Sequence, residues 1–387
     1  MDITVLICAH NAEKTIKRAL SSIDNDIPIL LIDDFSTDST VKLAKELKLK
    51  DLRIESPQLH LGVTNARQKA IDSIDTKYGI WMDADDAFFP NRIKVIYDTI
   101  ISTDVDFVFD SAELWSGQTN CFIKDLSMPP FLLKPSNFCR LFERNYLPGP
   151  SWQGFKTRSA KNVRYDIMQK QSEDLDFNLR AIKANCSFKL ITNKGYKQFS
   201  YPTSLSRNVK IQEFYTQRAL KKHSYTSIFN LYVHNKLSDI IAKWAQIFVA
   251  CTIQDFSNAR IFLNELEDLA KNNNDIIDPA GPIPFPDSWK WFFYNAFCQM
   301  MQNDFQSAAN SLRSANEILN REEIYNNLGF ILAHLNDKRA VSCFKTAQQI
   351  NNSYQDPIFN LKCMEKKDIK NLKYTKHPLR VFPSRSE

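Results

Sequence analysis

Three carboxylates crowd into four positions at Asp83-Ala84-Asp85-Asp86, directly after the apolar run Tyr78-Gly79-Ile80-Trp81-Met82. Such a run reads as a buried strand, so the acids should emerge together at its carboxyl end. In open α/β sheets that end is where ligands bind. Carboxylates this close repel one another, and a divalent cation relieves the repulsion; an all-oxygen donor set suits Mg²⁺ or Mn²⁺. A metal held by one or two protein acids keeps its other positions for water and a substrate's phosphates. The simpler alternative is an acidic turn capping the helix that Pro90 begins.

A second acidic turn lies upstream, at the end of the run Ile29-Leu30-Leu31-Ile32. It reads Asp33-Asp34-Phe35-Ser36-Thr37-Asp38-Ser39-Thr40 and is followed by a helical pattern from Val41 to Leu47. Apolar strand, paired acids and a Ser/Thr/Asp-rich cap repeat the grammar of the first site. The opening run Ile3 to Cys8 leaves through Ala9-His10-Asn11, ahead of a helical pattern through Ile16, Ala19, Leu20 and Ile23. Leu61 to Ala70 is a short helical pattern carrying Arg67. An Arg among strand-end acids suits a phosphate-bearing ligand, because its planar fork matches phosphate oxygens.

These pieces, in this order, resemble the family-2 glycosyltransferases with the GT-A fold: Ala9-His10-Asn11, the Asp33-Asp34-x-Ser-Thr-Asp turn, Gly62 with Ala66-Arg67, Asp83-Ala84-Asp85-Asp86 with Pro90, and Ser172-Glu173-Asp174. The similarity covers roughly residues 2 to 208. It implies an α/β domain with a mixed, mostly parallel sheet and flanking helices. It also implies sugar transfer from a nucleotide diphosphate to an acceptor hydroxyl, with a UDP-sugar as the default donor and inversion at the anomeric carbon. The Ala9-His10 turn, Asp34 and Arg67 would hold the nucleotide. Asp83 would lie near the ribose and diphosphate, Asp85 would bind Mn²⁺ or Mg²⁺, and Asp86 would support their turn. Asp174 matches the family's general base.

Three positions depart from the family pattern. Cys8 stands for the common Pro or Thr, Phe35 for the Gly after Asp-Asp, and Gln68-Lys69-Ala70 for Asn-x-Gly. A Phe where the turn wants positive φ predicts a different local backbone there. In the stretch Gln171 to Ile182, Leu175, Leu179 and Ile182 recur at helical spacing, so Glu173 and Asp174 fall in a first turn, where the helix dipole favours anions. Asp176 is expected to turn outward into solvent. Acceptor contacts are expected from a loop spanning Asp110 to Pro150.

The 387 residues allow two domains, and a formal charge of +6 spread along the chain gives no argument for nucleic acid. After Arg207 strand-like runs give way to helical periods, which divides the chain into a transferase domain over residues 1–208 and an α-helical domain over 209–387. Within the second, Phe293, Ala296, Met300, Ala308, Leu312 and Ala315 align with Tyr325, Leu328, Leu332, Ala340, Phe344 and Ala347 at a period of 32. Small residues where helices approach, with aromatics between them, resemble tetratricopeptide repeats at about residues 288–362. Such repeats imply a protein partner or self-association. Asp255-Phe256 echoes Asp304-Phe305, with Pro279 to Pro286 read as a loop.

The apolar run Ile240 to Cys251 is too short to span a bilayer and reads as a buried helix. Met1-Asp2-Ile3 opens into a strand without a leader pattern, and eight scattered cysteines fit reduced thiols, so a cytoplasmic protein is expected. From Lys366 onward a basic tail is expected to be solvated, or to touch the inner face of a membrane beside a lipid-linked acceptor. The acceptor itself is a glycan, a lipid-linked glycan or a protein. Two rivals belong to other classes: a sugar-nucleotide pyrophosphorylase, disfavoured by the lack of a Gly-rich loop after the first strand, and a non-catalytic scaffold acting through the helical repeats.

Overall fold

The structure is a computed structural model that describes residues 1–24, 26–147, 149–201, 209–272 and 288–378. The boundary expected after Arg207, the loop from Pro279 to Pro286 and the end of the basic tail lie outside these residues.

The chain forms two compact units, Met1–Ser224 and Tyr225–Glu387. The first is built on a sheet. In chain order its elements are β1 (Ile3–Ala9), α1 (Ile16–Ser21), β2 (Ile29–Asp33), α2 (Thr40–Glu46), β3 (Leu52–Glu55), α3 (Val63–Ser73), β4 (Tyr78–Asp83), β5 (Ala87–Phe88), α4 (Arg92–Thr103), β6 (Phe107–Ser116), β7 (Phe122–Leu126), β8 (Gln153–Lys156), α5 (Thr157–Val163), α6 (Glu173–Lys183), β9 (Phe188–Ser200) and α7 (Val209–Lys221). The sheet order is β3-β2-β1-β4-β8-β6-β9-β5, with β7 on β6. Strands β3, β2, β1 and β4 run parallel, joined by helical crossovers; β8 then pairs antiparallel with β4 and with β6, and β9 returns parallel to β6.

The parallel half positions the acids. Strands β1, β2 and β4 are buried on both faces, which accounts for their apolar runs, while β3 at the edge is partly exposed. Their register sets Ala9 opposite Asp33 and Cys8 opposite Asp83, so three carboxyl ends lie in one row. On the other half, Arg92 is fully buried and grips Asp110 through two bonds of 2.8 and 3.0 Å while donating to the Trp81 and Ser151 carbonyls. Its guanidinium also lies 4.4 Å from the Phe88 ring centre. This satisfied pair clamps the end of β4 to β6. It also corrects the expectation that Asp110 opens an acceptor loop: Asp110 to Ser116 is strand.

Helix α7 belongs to the first unit. Gln169 Nε2 donates to the Tyr215 carbonyl at 2.6 Å, and Arg218 reaches Asp166 at 2.8 Å. The compact units therefore part at Ser224/Tyr225, some way beyond the change of sequence texture.

The second unit is helical throughout its described elements: α8 (Tyr225–His234), α9 (Asp239–Thr252), α10 (Phe256–Asn272), α11 (Ser288–Met301), α12 (Phe305–Ile318), α13 (Glu322–His334), α14 (Ala340–Ile350), α15 (Gln355–Glu365) and a 3₁₀ turn, Ile369–Asn371. Consecutive helices pack as hairpins, with Ala296, Ala308, Ala315, Ala340 and Ala347 all buried. The Asp255 and Asp304 echoes are helix starts of one type: each side chain accepts from the backbone N–H three residues on. Helix α9 is the buried helix read from the sequence, and Lys243 within it reaches Glu265 at 2.6 Å. The segment after the 3₁₀ turn is not a solvated tail: Leu372 and Thr375 are buried among the helices.

Candidate active site

The first two strand ends are stitched together by short bonds. Asp34 N–H donates to the Ala9 carbonyl at 2.7 Å, and His10 Nδ1 lies 2.7 Å from the Asp34 carbonyl. Asn11 takes a φ of 51° and uses its side chain to accept from Thr37 N–H, while Asp38 accepts from Glu13 N–H and Thr40 N–H. Asp34 is buried, and its carboxylate accepts from Leu61 N–H at 2.5 Å and Gly62 N–H at 2.9 Å. That ties the Asp33-Asp34 turn to the start of α3, where Gly62 has a φ of +81°.

Phe35 follows with a φ of 61°, its ring 46% exposed. The expectation of a different backbone is therefore corrected. The turn keeps positive φ and accepts a steric cost of about 1–2 kcal/mol for a non-Gly residue.

Helix α3 delivers Arg67. Its guanidinium is almost fully buried and bonds both Glu173 Oε1 and, at 3.3 Å, Asp83 Oδ1. Burial opposes its charge, but the Glu173 and Asp83 carboxylates overcome that and hold Arg67 charged above its ordinary range. Burial pushes Glu173 up to about 7; Arg67 draws it down, and Asp174 adds to the rise. Gln68 and Ala70, by contrast, are buried in the packing around α3: Gln68 Oε1 accepts from Tyr165 N–H at 2.6 Å. Cys8 is a thiol raised to about 12, chiefly by burial, and all eight cysteines are free.

At the end of β4, one carboxylate oxygen from each of Asp83, Asp85 and Asp86 falls within 4.8 Å of the others. Asp86 is buried, and its two oxygens accept from Tyr196 O–H and Phe199 N–H, both at 2.7 Å. Burial first, then the Asp85 and Asp83 charges, raise Asp86 well above the carboxylate range. Asp86 is thus engaged with β9, leaving Asp83 and Asp85 as the pair facing outward, each partly exposed. A hard divalent cation fits this all-oxygen cluster and its crowded charge.

Two contributors had no sequence signal of their own. Arg18, on α1, donates to the Asp85 carbonyl and to Tyr201 O–H at 2.8 Å, with its guanidinium 3.6 Å from the Phe199 ring centre. It fixes the backbone of the acidic turn. His60 stacks near His10, ring centres 4.4 Å apart, and reaches Asp34 Oδ2 at 3.1 Å.

Glu173 and Asp174 occupy the first turn of α6, which starts from Ser172 at a φ of 51°. Asp174 Oδ2 lies 3.4 Å from Asn145 Nδ2 and is partly exposed. Through Glu173 and Arg67, this helix start is tied directly to Asp83. Asp176 is not solvated: it is fully buried, paired with Arg180 at 2.9 Å and with Lys222. Helix α7 covers the side of α6 that the sequence period assigned to water.

Residues 4–161 match the family model of Glycosyl transferase family 2. The chain is 25% identical over 232 residues to an uncharacterized glycosyltransferase of Methanocaldococcus jannaschii, covering 57% of this chain and 79% of that protein. It is 24% identical over 229 residues to the cholesterol galactosyltransferase of Borreliella burgdorferi, covering 54% and 63%. Among solved structures, S. aureus TarS 1–349 in complex with UDP-GlcNAc superposes with a TM-score of 0.51 at 13% identity, covering 92% of each chain, a likeness of fold. Residues 4–161 thus carry a Glycosyl transferase family 2 domain, which lies within the sheet-bearing unit.

Proposed function

We propose that this enzyme transfers a sugar from a UDP-sugar to an acceptor hydroxyl with inversion, assisted by Mg²⁺ or Mn²⁺. The observation that carries this reading is the buried Arg67 bridge, which joins Asp83 of the acidic turn to the Glu173-Asp174 helix start. It binds a diphosphate-type site and a base-type site into one rigid unit. The UDP choice is supported by the fold likeness to a protein crystallised with UDP-GlcNAc. Ala9, His10 and Asp34 would cradle the nucleoside, and Arg67 with Asp83 would face the ribose and diphosphate.

Asp85, with Asp83 beside it, would hold the cation, which when bound offsets charge on the diphosphate leaving group. Asp174 would accept the proton of the acceptor hydroxyl as its oxygen bonds to the anomeric carbon. The anomeric carbon–oxygen bond to the diphosphate breaks in the same displacement, and UDP leaves with the electron pair. One such displacement inverts the centre. The acceptor is a glycan, a lipid-linked glycan or a protein, with transfer in the cytoplasm. No described helix is long and apolar enough to cross a membrane. The helical hairpins are read as tetratricopeptide-like, holding a protein partner or a second copy.

Asp174→Asn tests the assignment of the base. UDP affinity should stay near that of the wild type while transfer falls roughly 10²–10⁴-fold, the usual contribution of a positioned general base. Full transfer activity in that variant would remove Asp174 from the mechanism.

A further inference from the structure

Between α5 and α6 the chain makes a turn whose tip is apolar. Gln169 N–H donates to the Asp166 carbonyl at 2.8 Å, and Asp166 Oδ1 accepts from Met168 N–H at 2.9 Å, so Ile167 and Met168 take the two central positions. They are 54% and 63% exposed. Turn tips ordinarily take Gly, Asn, Asp, Ser or Pro, each suited to a turn by its backbone freedom or its local hydrogen bonds. Polar groups beneath hold this tip in place. Asp166 accepts from Arg218 at 2.8 Å and from Lys222 at 2.7 Å. Buried Gln169 donates to the Tyr215 carbonyl at 2.6 Å and accepts from Arg218 at 2.7 Å, and its own carbonyl accepts from Thr64 O–H.

Helix α7 continues this surface. Phe214 is 61% exposed, and Arg218, one helical turn further on, is the residue that grips the Asp166 turn, so helical spacing sets Phe214 on the face beside Ile167 and Met168. Lys210 and Lys221 share that face, one turn before Phe214 and two turns after it, and both are exposed, as is Lys170 just past the turn. The local charge is one-sided: residues 158–170 and 209–222 carry eight Lys and Arg against two acids, where the whole chain carries 50 against 44. Single exposed apolar residues are ordinary, but three large ones inside a basic rim fit the boundary between headgroups and acyl chains of an anionic bilayer. The patch also adjoins the proposed chemistry. Ser172 Oγ, at the cap of α6, reaches the Gln212 carbonyl at 3.3 Å and Thr216 Oγ1 at 3.1 Å, so α7 braces the helix start that carries Asp174.

We propose that Ile167, Met168 and Phe214, rimmed by Lys170, Lys210 and Lys221, form a docking surface for an anionic membrane, which brings a lipid-borne acceptor hydroxyl to Asp174. The lipid acceptor rests on the reading of Asp174 as the base. The docking surface does not: it is measured without donor or acceptor, so failure of docking and failure of the transfer chemistry are separate results.

The probe is a vesicle of equimolar phosphatidylcholine and phosphatidylglycerol, co-sedimented with the full chain. Wild type should bind it roughly 10-fold more tightly than a vesicle of phosphatidylcholine alone, and added salt should weaken that binding. Ile167→Ser/Met168→Ser/Phe214→Ser should lower affinity for the anionic vesicle roughly 10-fold, since the inserted apolar area is lost. The same variant should keep a cooperative melt, because exposed side chains add little to the core. Lys170→Glu/Lys210→Glu/Lys221→Glu should erase the preference for the anionic vesicle. Wild type that sediments with neither vesicle overturns the proposal. Unchanged anionic binding in the serine variant also overturns it, leaving only a general attraction of charge. Equal binding of wild type to both vesicles overturns the anionic assignment. A wild-type dimer that the serine variant loses, with no vesicle binding in either, would give the patch to a second copy and overturn the membrane as its occupant.

Discussion

A charge on a helix is safe from water only if something else covers it, and Asp176 shows how a single residue escapes a periodicity argument. Its spacing from Leu175 and Leu179 pointed outward, yet Lys222, just past the end of α7, lies on that side and α6 itself supplies Arg180. The partners lie 46 and 4 residues away, and only the nearer was visible locally. Asp176→Asn should therefore lower stability by about 1–3 kcal/mol in urea unfolding, since it weakens a buried charge pair. A variant as stable as wild type would mean that the pair contributes nothing net. Glu173 makes a second test at this scale. Burial lifts it from the ordinary 4.5 to about 7, so between those pH values the native state holds more proton than the unfolded chain. Stability then falls as pH rises through that window and levels off above it. Glu173→Gln should remove a slope worth on the order of 1–3 kcal/mol; urea unfolding at pH 5 and 7.5 checks this, and an unchanged slope would contradict it.

At the scale of elements, what the sequence made legible was the grammar of strand followed by acid. Uninterrupted apolar runs marked β1, β2 and β4, and polar residues at their ends marked the face they share, because a parallel strand buried on both sides leaves its chemistry to its carboxyl end. Less legible were contacts made by residues with no local pattern. Arg18 lies in an ordinary helical period, and only the three-dimensional path of β9 brings Phe199 and the acidic turn against it. Arg92 with Asp110 was hidden for the same reason: a buried ion pair 18 residues apart in sequence leaves no periodic trace. The buried Asn327 of α13 and Asn360 of α15, which bind the backbone of Thr375 and Lys373, left no trace in the sequence, since carboxamides carry no charge signature.

For the whole molecule, two compact units with separate cores imply two cooperative transitions. Gly329 offers a way to move one alone. A Cβ there would meet the Phe344 ring at 2.7 Å, a core contact between α13 and α14. Gly329→Ala should cost the helical unit about 1–3 kcal/mol by overpacking, lowering one calorimetric transition and leaving the other in place. Equal shifts of both would show that the units unfold as one.

The proposed metal-assisted UDP-sugar site at the Asp83-Asp85 turn is tested most directly by calorimetric titration of UDP with and without Mn²⁺. Wild-type protein should bind UDP much more tightly with Mn²⁺. Asp85→Ala should lose that enhancement while keeping its fold, because a partly exposed strand-end carboxylate adds little to the core. Undiminished Mn²⁺-dependent affinity in Asp85→Ala would contradict the assignment of the metal to this turn.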